Sequence, residues 1–120
     1  MSLKRLDVYV GVSDMERATA FYKRYVQAEP VLVTDNYTGF DLNGSLFGLF
    51  RQDAYGSEQP LVGGNSTVVN VLVEDVAADF DRVRALEPPA MTDIATVGTN
   101  YRFFVFRDHD GNVVEVYETD

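Results

Sequence analysis

The sequence contains no cysteine and only one histidine among its 120 residues. The absence of cysteine excludes disulfides, thiolate nucleophiles and zinc sites with cysteine ligands. No apolar run approaches the roughly 18 residues of a membrane-spanning helix, and the N-terminal residues MSLKRLDVYV lack the pattern of a secretory signal. We therefore expect a cytoplasmic protein that does not enter a membrane.

Basic side chains are also scarce, since 10 lysines and arginines stand against 19 aspartates and glutamates, and the formal net charge is -9. Phosphate backbones and anionic lipids attract basic surfaces, so this balance argues against binding of nucleic acid or membrane surfaces. It weakly favours a cationic ligand. The remaining composition, 46% hydrophobic and 24% charged, is typical of one globular domain with a single core.

The chain carries an internal repeat. The pattern Val-x-Val-x-Val-x-Asp occurs at residues 8–14 and again at 69–75, and Asp-x-x-Gly before an apolar strand occurs at 41–44 and again at 108–111. Such self-similarity indicates duplicated structural units. We interpret residues 1–120 as a single domain made of two tandem modules. The modules comprise about residues 4–51 and 67–118, and the loop 52–66 joins them.

Each module is predicted to have the order β-α-β-β-β. An alternating strand runs into a capping residue, which is Ser13 or Asp14 in the first half and Asp75 in the second. Apolar stripes at helical spacing follow, and they consist of Ala18, Phe21, Tyr22, Tyr25 and Val26, and of Val76, Phe80, Val83 and Leu86. Further strands are predicted at 31–34, 37–42, 45–51, 91–97, 100–107 and 112–118, and the Asp-x-x-Gly segments predict type I turns. The fold class is therefore α+β, with two tandem βαβββ modules forming a curved, half-open mixed sheet with helices outside.

Alternation along the strands decides which side chains share a face. If the valines of the first, fifth and last strands face the helices, a second set of side chains lines the concave side. This set, our candidate ligand-binding residues, consists of Asp7, Tyr9, Phe50, Asn70, Glu115 and Tyr117. A few polar groups on an apolar wall are typical of a small-molecule site.

A purely structural interpretation stays open beside this one. Asp7 and Glu115 are also compatible with solvated positions on an open sheet face. The tyrosines are compatible with core packing, and Asn70 with a hydrogen bond to backbone. His109 lies in a predicted turn, where we expect it to be exposed and without a catalytic role.

Two stretches, VGVSDMERATAFYKRYV and FRDHDGNVVEVYE, together with the duplication, resemble the vicinal oxygen chelate superfamily. This is the group of glyoxalase I, bleomycin resistance protein and extradiol dioxygenases, and the likeness covers nearly the whole chain. It implies paired βαβββ modules, a site in the concave face and, in many members, a homodimer.

The metal enzymes of that family place ligands at four positions, which by this resemblance hold Asp7, Gly48, Val68 and Glu115 here. Glu115 matches the usual residue and Asp7 is an atypical oxygen donor, whereas Gly48 and Val68 have no ligating side chain. Catalytic zinc needs about three protein ligands, and two carboxylates hold a hard cation only weakly. We therefore predict no cofactor, with weak divalent-metal binding as the most that these residues would support.

The resemblance implies a glyoxalase/bleomycin-resistance-like small-molecule binding protein with an incomplete metal site and a cationic or aromatic ligand. The alternative is an enzyme of the same superfamily, a divalent-metal-dependent or carboxylate-based lyase, isomerase or dioxygenase-like protein. A third interpretation is an interaction module whose concave face packs on a partner. The sequence leaves this choice open, and it does not decide whether Arg102 or Arg107 reaches the cleft.

Overall fold

The computed structural model describes residues 4–54, 64 and 67–120. The chain separates into two compact units, Met1–Asn65 (unit 1) and Ser66–Asp120 (unit 2). The predicted modules fall within these units. Most of the predicted joining loop, residues 55–63 and 65–66, lies outside the described residues. That the two units form a single domain stays a prediction.

Unit 1 is a four-stranded mixed sheet with one helix, as predicted for each half. Its elements are β1 Val8–Val12, α1 Met15–Val26, β2 Leu32–Val33, β3 Tyr37–Leu42 and β4 Ser45–Arg51. The strand order is β1-β4-β3-β2. The β1–β4 pair is parallel and the other pairs are antiparallel.

Unit 2 repeats this plan with one additional short strand. Its elements are β5 Val68–Leu72, α2 Val76–Ala85, β6 Ala90–Met91, β7 Ala95–Val97, β8 Tyr101–Arg107 and β9 Val113–Glu118. The strand order is β5-β9-β8-β6, and β7 also pairs with β8. Only the β5–β9 pair is parallel.

The two units share the same register as well as the same order. Tyr9 of β1 lies beside Gly48 of β4, and Asn70 of β5 lies beside Glu115 of β9. The repeated sequence patterns align Tyr9 with Asn70 and Gly48 with Glu115, so the pairing follows the sequence repeat residue by residue. This agreement supports the internal duplication.

Both helices begin at the predicted aspartates. The Asp14 carboxylate accepts a hydrogen bond from the Arg17 amide at 3.0 Å, and Asp75 accepts one from the Ala78 amide at 3.1 Å. Such caps satisfy backbone donors that have no partner within the helix. In α2 the Glu118 carboxylate at the end of β9 also accepts a hydrogen bond from the Val76 amide at 2.8 Å.

The helix stripes are buried against one face of each sheet. In unit 1, Tyr22 meets Phe47 edge-on at a ring distance of 5.0 Å, and in unit 2, Phe80 meets Phe104 at 5.3 Å. Val26, Phe80 and Leu86 of the predicted stripes are only half-buried. We call the sheet face that points away from the unit's own helix the open face.

The predicted strand 91–97 is interrupted. Met91 pairs with Phe106 but Ala95 pairs with Phe103, so three residues, 92–94, face two on β8. The Thr92 hydroxyl accepts the Val105 amide at 2.9 Å, in place of a backbone carbonyl. A side-chain oxygen that competes with the backbone in this way favours a bulge with one extra residue.

The two Asp-x-x-Gly segments form different turns. At the second, the Gly111 amide donates to the Asp108 carbonyl at 3.0 Å, the bond expected of a β-turn. At the first, Asn43 and Gly44 both have positive φ, 54° and 94°, between the paired residues Leu42 and Ser45. This is typical of a type I′ hairpin, which matches strand twist better than the type I turn that we predicted.

None of the described helices has the length and hydropathy needed to cross a membrane.

Candidate functional site

The open face of unit 2 brings three predicted site residues together. Asn70 and Glu115 are direct neighbours on β5 and β9, and Tyr117 follows Glu115 on the same face. The buried residues of β9 are Val114 and Val116, which are 1% and 0% exposed and face the helix. The side chains of Glu115 and Tyr117 are half-buried on the other face, as the alternation predicted.

Glu115 is held by a residue that the sequence analysis missed. The Tyr101 hydroxyl donates to Glu115 Oε2 at 2.6 Å, and the Tyr101 ring stacks on Tyr117 with centroids 5.0 Å apart and an interplanar angle of 16°. The hydrogen bond to Glu115 raises the pKa of Tyr101 above its ordinary 10.0, because loss of the proton would break the bond. Desolvation and the Glu115 charge act in the same direction, while a hydrogen bond with Asn70 opposes them.

Tyr101 was missed because residues 101–107, YRFFVFR, are apolar on both faces of the strand. The alternation of apolar and polar residues therefore could not show which side chains of β8 face the helix and which face away from it. The available signal was the partner strand: once β9 is oriented, antiparallel pairing of Phe103 with Tyr117 puts the odd-numbered residues of β8 on the open face. Tyr101 is then two positions from Phe103 on that face.

Neither of the two arginines left open by the sequence pairs with Glu115, although Arg107 has the parity of the open face. Arg102 Nη1 lies 3.5 Å from Glu118 Oε1, on the side of the sheet where Glu118 caps α2. Arg107 Nη1 donates to the Gly111 carbonyl at 2.7 Å. Within the described part of the chain, neither guanidinium is therefore paired with the Glu115 carboxylate.

The open face of unit 1 is aromatic. Tyr9 and Phe50, both predicted site residues, have ring centroids 5.6 Å apart. Tyr37 joins them with its ring 6.1 Å from that of Phe50 in an edge-on arrangement. Tyr9 is 39% exposed, so this aromatic surface is accessible in unit 1 as described by itself.

Gly48, the unit 1 counterpart of Glu115, is covered by Tyr37. A Cβ at Gly48 would overlap the Tyr37 hydroxyl, and one at the neighbouring Gly39 would lie 2.9 Å from the edge of the same ring. The two glycines form a strip of bare backbone across β3 and β4, and the phenol lies on it. In both units, a tyrosine hydroxyl therefore reaches the same position of the last strand.

Asp7 forms contacts within unit 1. Its Oδ1 accepts the Leu46 amide at 2.9 Å and lies 2.7 Å from Arg5 Nε. The Leu46 amide first, and then Arg5, hold the pKa of this carboxyl below its ordinary 3.8, because both stabilise the ionised form. A ligand-binding role for Asp7 stays a prediction.

The residues at the four ligand positions implied by the family resemblance do not fit a divalent metal. Gly48 and Val68 offer no donor, Asp7 is occupied by Arg5 and the Leu46 amide, and one Glu115 oxygen is occupied by Tyr101. Among the residues that the structure describes, no three histidine, cysteine, aspartate or glutamate side chains are grouped to hold an ion. Metal chemistry would need donors that these positions lack.

A separate groove of about 470 Å³ runs between α1 and the strands β2 and β3. Its central polar groups bond to one another, since the Thr19 hydroxyl donates to Thr38 at 3.2 Å and Thr38 contacts the Met15 sulfur at 3.3 Å. The open face of unit 1 carries accessible aromatic rings, and that of unit 2 carries aromatic rings beside a carboxylate that has no basic partner among the described residues. They are therefore the better candidate site.

The sequence matches a known protein family, and the fold matches solved structures. Residues 5–116 match the family model described as the Glyoxalase/Bleomycin resistance protein/Dioxygenase superfamily. No curated protein matches the sequence.

Several solved structures share the fold. A lactoylglutathione lyase from Agrobacterium tumefaciens superposes with a TM-score of 0.78 and 21% identity, covering 98% of this chain and 95% of that one. A glyoxalase/bleomycin resistance protein from Catenulispora acidiphila gives 0.76 and 21%, covering 97% and 98%. The fosfomycin resistance protein FosX from Listeria monocytogenes, complexed with Mn(II) and sulfate, gives 0.78 and 17%, covering 100% and 93%. At these identities the likeness shows the fold alone, and it agrees with the predicted fold class.

Proposed function

Because the chain belongs to the glyoxalase/bleomycin resistance protein/dioxygenase superfamily, we propose that it is a small-molecule-binding protein that holds its ligand on the open faces of its sheets without a divalent metal. Members of this superfamily bind small molecules, and one structurally similar protein, FosX, is complexed with Mn(II) and sulfate. The present chain differs from a metal enzyme in its residues rather than in its fold.

The hydrogen bond from Tyr101 to Glu115 carries this proposal. At 2.6 Å it is short, as expected for a phenol that donates to an ionised carboxylate. A metal would have to displace this phenol, and the neighbouring position, Asn70, offers a neutral amide. The Glu115 position therefore suits a hydrogen-bonded ligand better than an ion.

The exposed chemistry supports an aromatic or cationic ligand. Among the described residues, the hydrogen bond of Glu115 to Tyr101 uses Oε2, and the Tyr101 ring stacks on Tyr117 on the same face. A positive group is attracted by both the carboxylate and the ring faces, and the net charge of -9 favours its approach. We propose as contact residues the set Asp7, Tyr9, Phe50, Asn70, Glu115 and Tyr117, to which the geometry adds Tyr101.

Calorimetry tests this proposal. The protein is titrated with a bleomycin-type cationic glycopeptide and with aromatic amines, in buffer with and without EDTA. We expect binding heat from at least one ligand, unchanged by EDTA, and far less than one metal ion per chain by elemental analysis. A panel without heat, or binding that EDTA abolishes, would contradict the proposal.

Glu115→Gln is the informative variant, and Glu74→Gln is the matched control because Glu74 is exposed and lies between β5 and α2, outside the strands. We expect Glu115→Gln to lower the affinity for a cationic ligand by roughly tenfold, because one charge interaction is lost. The control should change affinity less than twofold. Equal effects of the two variants would indicate that only overall charge matters.

An enzyme that uses the Tyr101–Glu115 pair is the second candidate. A carboxylate bonded to a phenol of raised pKa places a proton acceptor beside a proton donor. Its test is formation of lactoylglutathione from methylglyoxal and glutathione, with and without Mn²⁺. Activity that Glu115→Gln abolishes, without loss of folding, would favour the enzyme.

We further propose a homodimer located in the cytoplasm. Several apolar side chains are exposed in the units as described, including Val68 at 51%, Leu72 at 60% and Val97 at 59%. Exposed apolar groups of this size are typical of surfaces that another chain covers.

A further inference from the structure

We propose that Tyr37 is the specificity-determining residue of unit 1, and that its phenol replaces the side chain that Gly48 lacks. This inference rests on the proposed function, since it assigns the ligand contact at the position equivalent to Glu115. It also assigns a chemical class: the group bound there is flat, aromatic and carries a hydrogen-bond acceptor.

The steric evidence is the position of the Tyr37 ring. The ring lies where any side chain on Gly48 would begin, and it also covers Gly39 on the adjacent strand. In unit 2 the matching positions carry Val105 and Glu115, which pair with each other across β8 and β9. Of these two pairs, the glycines of unit 1 leave room for a ring over the strand backbone, where the Tyr37 ring lies.

The hydrogen-bonding evidence is that the Tyr37 hydroxyl is available. It bonds to none of the other described residues, whereas the Tyr101 hydroxyl in unit 2 is taken by Glu115. Desolvation, followed by the negative charge of Asp7, raises the pKa of Tyr37, so the phenol keeps its proton at neutral pH. A half-buried phenol that has no partner among the described residues is a hydrogen-bond donor that a ligand can satisfy.

The aromatic evidence is the surrounding surface. Phe50 meets Tyr37 edge-on, and the accessible Tyr9 ring lies against Phe50. Flat rings pack on such clusters by offset or edge-on contacts. An acceptor atom on the incoming ring would then meet the Tyr37 hydroxyl beside Gly48.

A pair of isosteric probes tests the ligand contact. Acetophenone has a carbonyl acceptor, and α-methylstyrene has a methylene group in its place. Binding to the wild type and to Tyr37→Phe is followed by NMR. We expect Tyr37→Phe to lower the affinity for acetophenone about three- to tenfold, the usual effect of losing one neutral hydrogen bond. The affinity for α-methylstyrene should not change.

Tyr25→Phe is the control, because Tyr25 is buried on the helix side of unit 1 and its loss of a hydroxyl should not affect either probe. Equal affinity of acetophenone for the wild type and Tyr37→Phe would overturn the role of Tyr37 and leave the proposed function standing. If neither probe bound at any site, the ligand role of Tyr37 would fail. If the calorimetric panel also gave no heat, the proposed function would fail with it.

A double-mutant cycle, measured by unfolding without any ligand, tests whether the Tyr37 ring occupies the position of the side chain that Gly48 lacks. Gly48→Ala should lower the unfolding midpoint of the wild type, because the new Cβ displaces the Tyr37 ring. In a Tyr37→Ala background the same change should be neutral or stabilising, since alanine is better than glycine in a strand. Additive effects in the double variant would show that the ring does not occupy the position of the missing side chain.

Discussion

At the scale of single residues, the position of Glu115 followed from the sequence but its partner did not. Alternation of Val114, Glu115 and Val116 was sufficient to put the carboxylate on the open face. Its hydrogen bond depends on Tyr101, whose strand is apolar on both sides and gives no parity. Pairing between strands, rather than any local pattern, decides that contact.

Tyr101→Phe should remove the hydrogen bond and keep the ring stacked on Tyr117. A folded pKa above 10.0 means that the bond stabilises the protein below about pH 10 and that this contribution is lost as pH rises through the raised pKa. We therefore expect a lower unfolding midpoint for the variant at pH 7, with the difference closing above pH 10. Thermal unfolding by circular dichroism at several pH values measures this. A constant difference would contradict the assigned bond.

Asp7 gives the opposite pH dependence. Its folded pKa is below 3.8, so its contribution is present above that pH and is lost as pH falls through the folded value. Asp7→Ala should lower the unfolding midpoint at pH 7 and have little effect well below pH 3.8. Asp7→Asn should cost less, because an amide oxygen can still accept the Leu46 amide. Equal losses for both variants at all pH values would be the contrary result.

At the scale of elements, the helices were easier to predict than the short strands. The capping residues, Ser13 or Asp14 for α1 and Asp75 for α2, were predicted from their place before an apolar stripe, and the structure shows caps at Asp14 and Asp75. The strand predicted at 91–97 is instead divided in two by a bulge. At this bulge the Val105 amide donates a hydrogen bond to the Thr92 hydroxyl rather than to a backbone carbonyl. A single side-chain hydrogen bond of this kind leaves no periodic signal in the sequence.

The start of α2 should be more sensitive to mutation than the start of α1, since it has two capping carboxylates. Asp75→Ala should lower the free energy of unfolding by about 1 kcal/mol. Glu118→Ala should cost a similar amount, about 1 kcal/mol, although Glu118 lies in a strand far from Val76 along the chain. Urea denaturation measures both. Glu74→Ala is the control and should change stability by less than about 0.5 kcal/mol.

At the scale of the whole molecule, the duplication was predictable because the same sequence patterns occur in both halves at equivalent positions. The pairs Tyr9–Gly48 and Asn70–Glu115 occupy equivalent positions, so each repeat carries its own pairing information. The function was less predictable, because the same fold occurs in a lactoylglutathione lyase and in a fosfomycin resistance protein. The residues at the ligand positions, rather than the fold, decide between those functions.

The proposed homodimer is a prediction about the whole molecule. Sedimentation equilibrium at micromolar concentration should give a species of two chains. Replacing an exposed apolar residue such as Leu72 by glutamate should shift the equilibrium toward one chain if that residue is covered. A single-chain species for the wild type at all concentrations would contradict the dimer.

The extra residue at 92–94 has a consequence for how this surface can change. Because of the bulge, Ala95 and Val97 share the open face with Phe103 and Tyr101. Deleting one residue from this stretch would remove the bulge and leave Ala95 opposite Phe103. If the strand instead kept its length and lost the bulge, a continuous ladder with β8 would turn β7 over, so that Thr96 would replace both apolar side chains beside Tyr101. A register slip of one residue, without any substitution in β7, would then convert an apolar border of the site into a hydroxyl-bearing one.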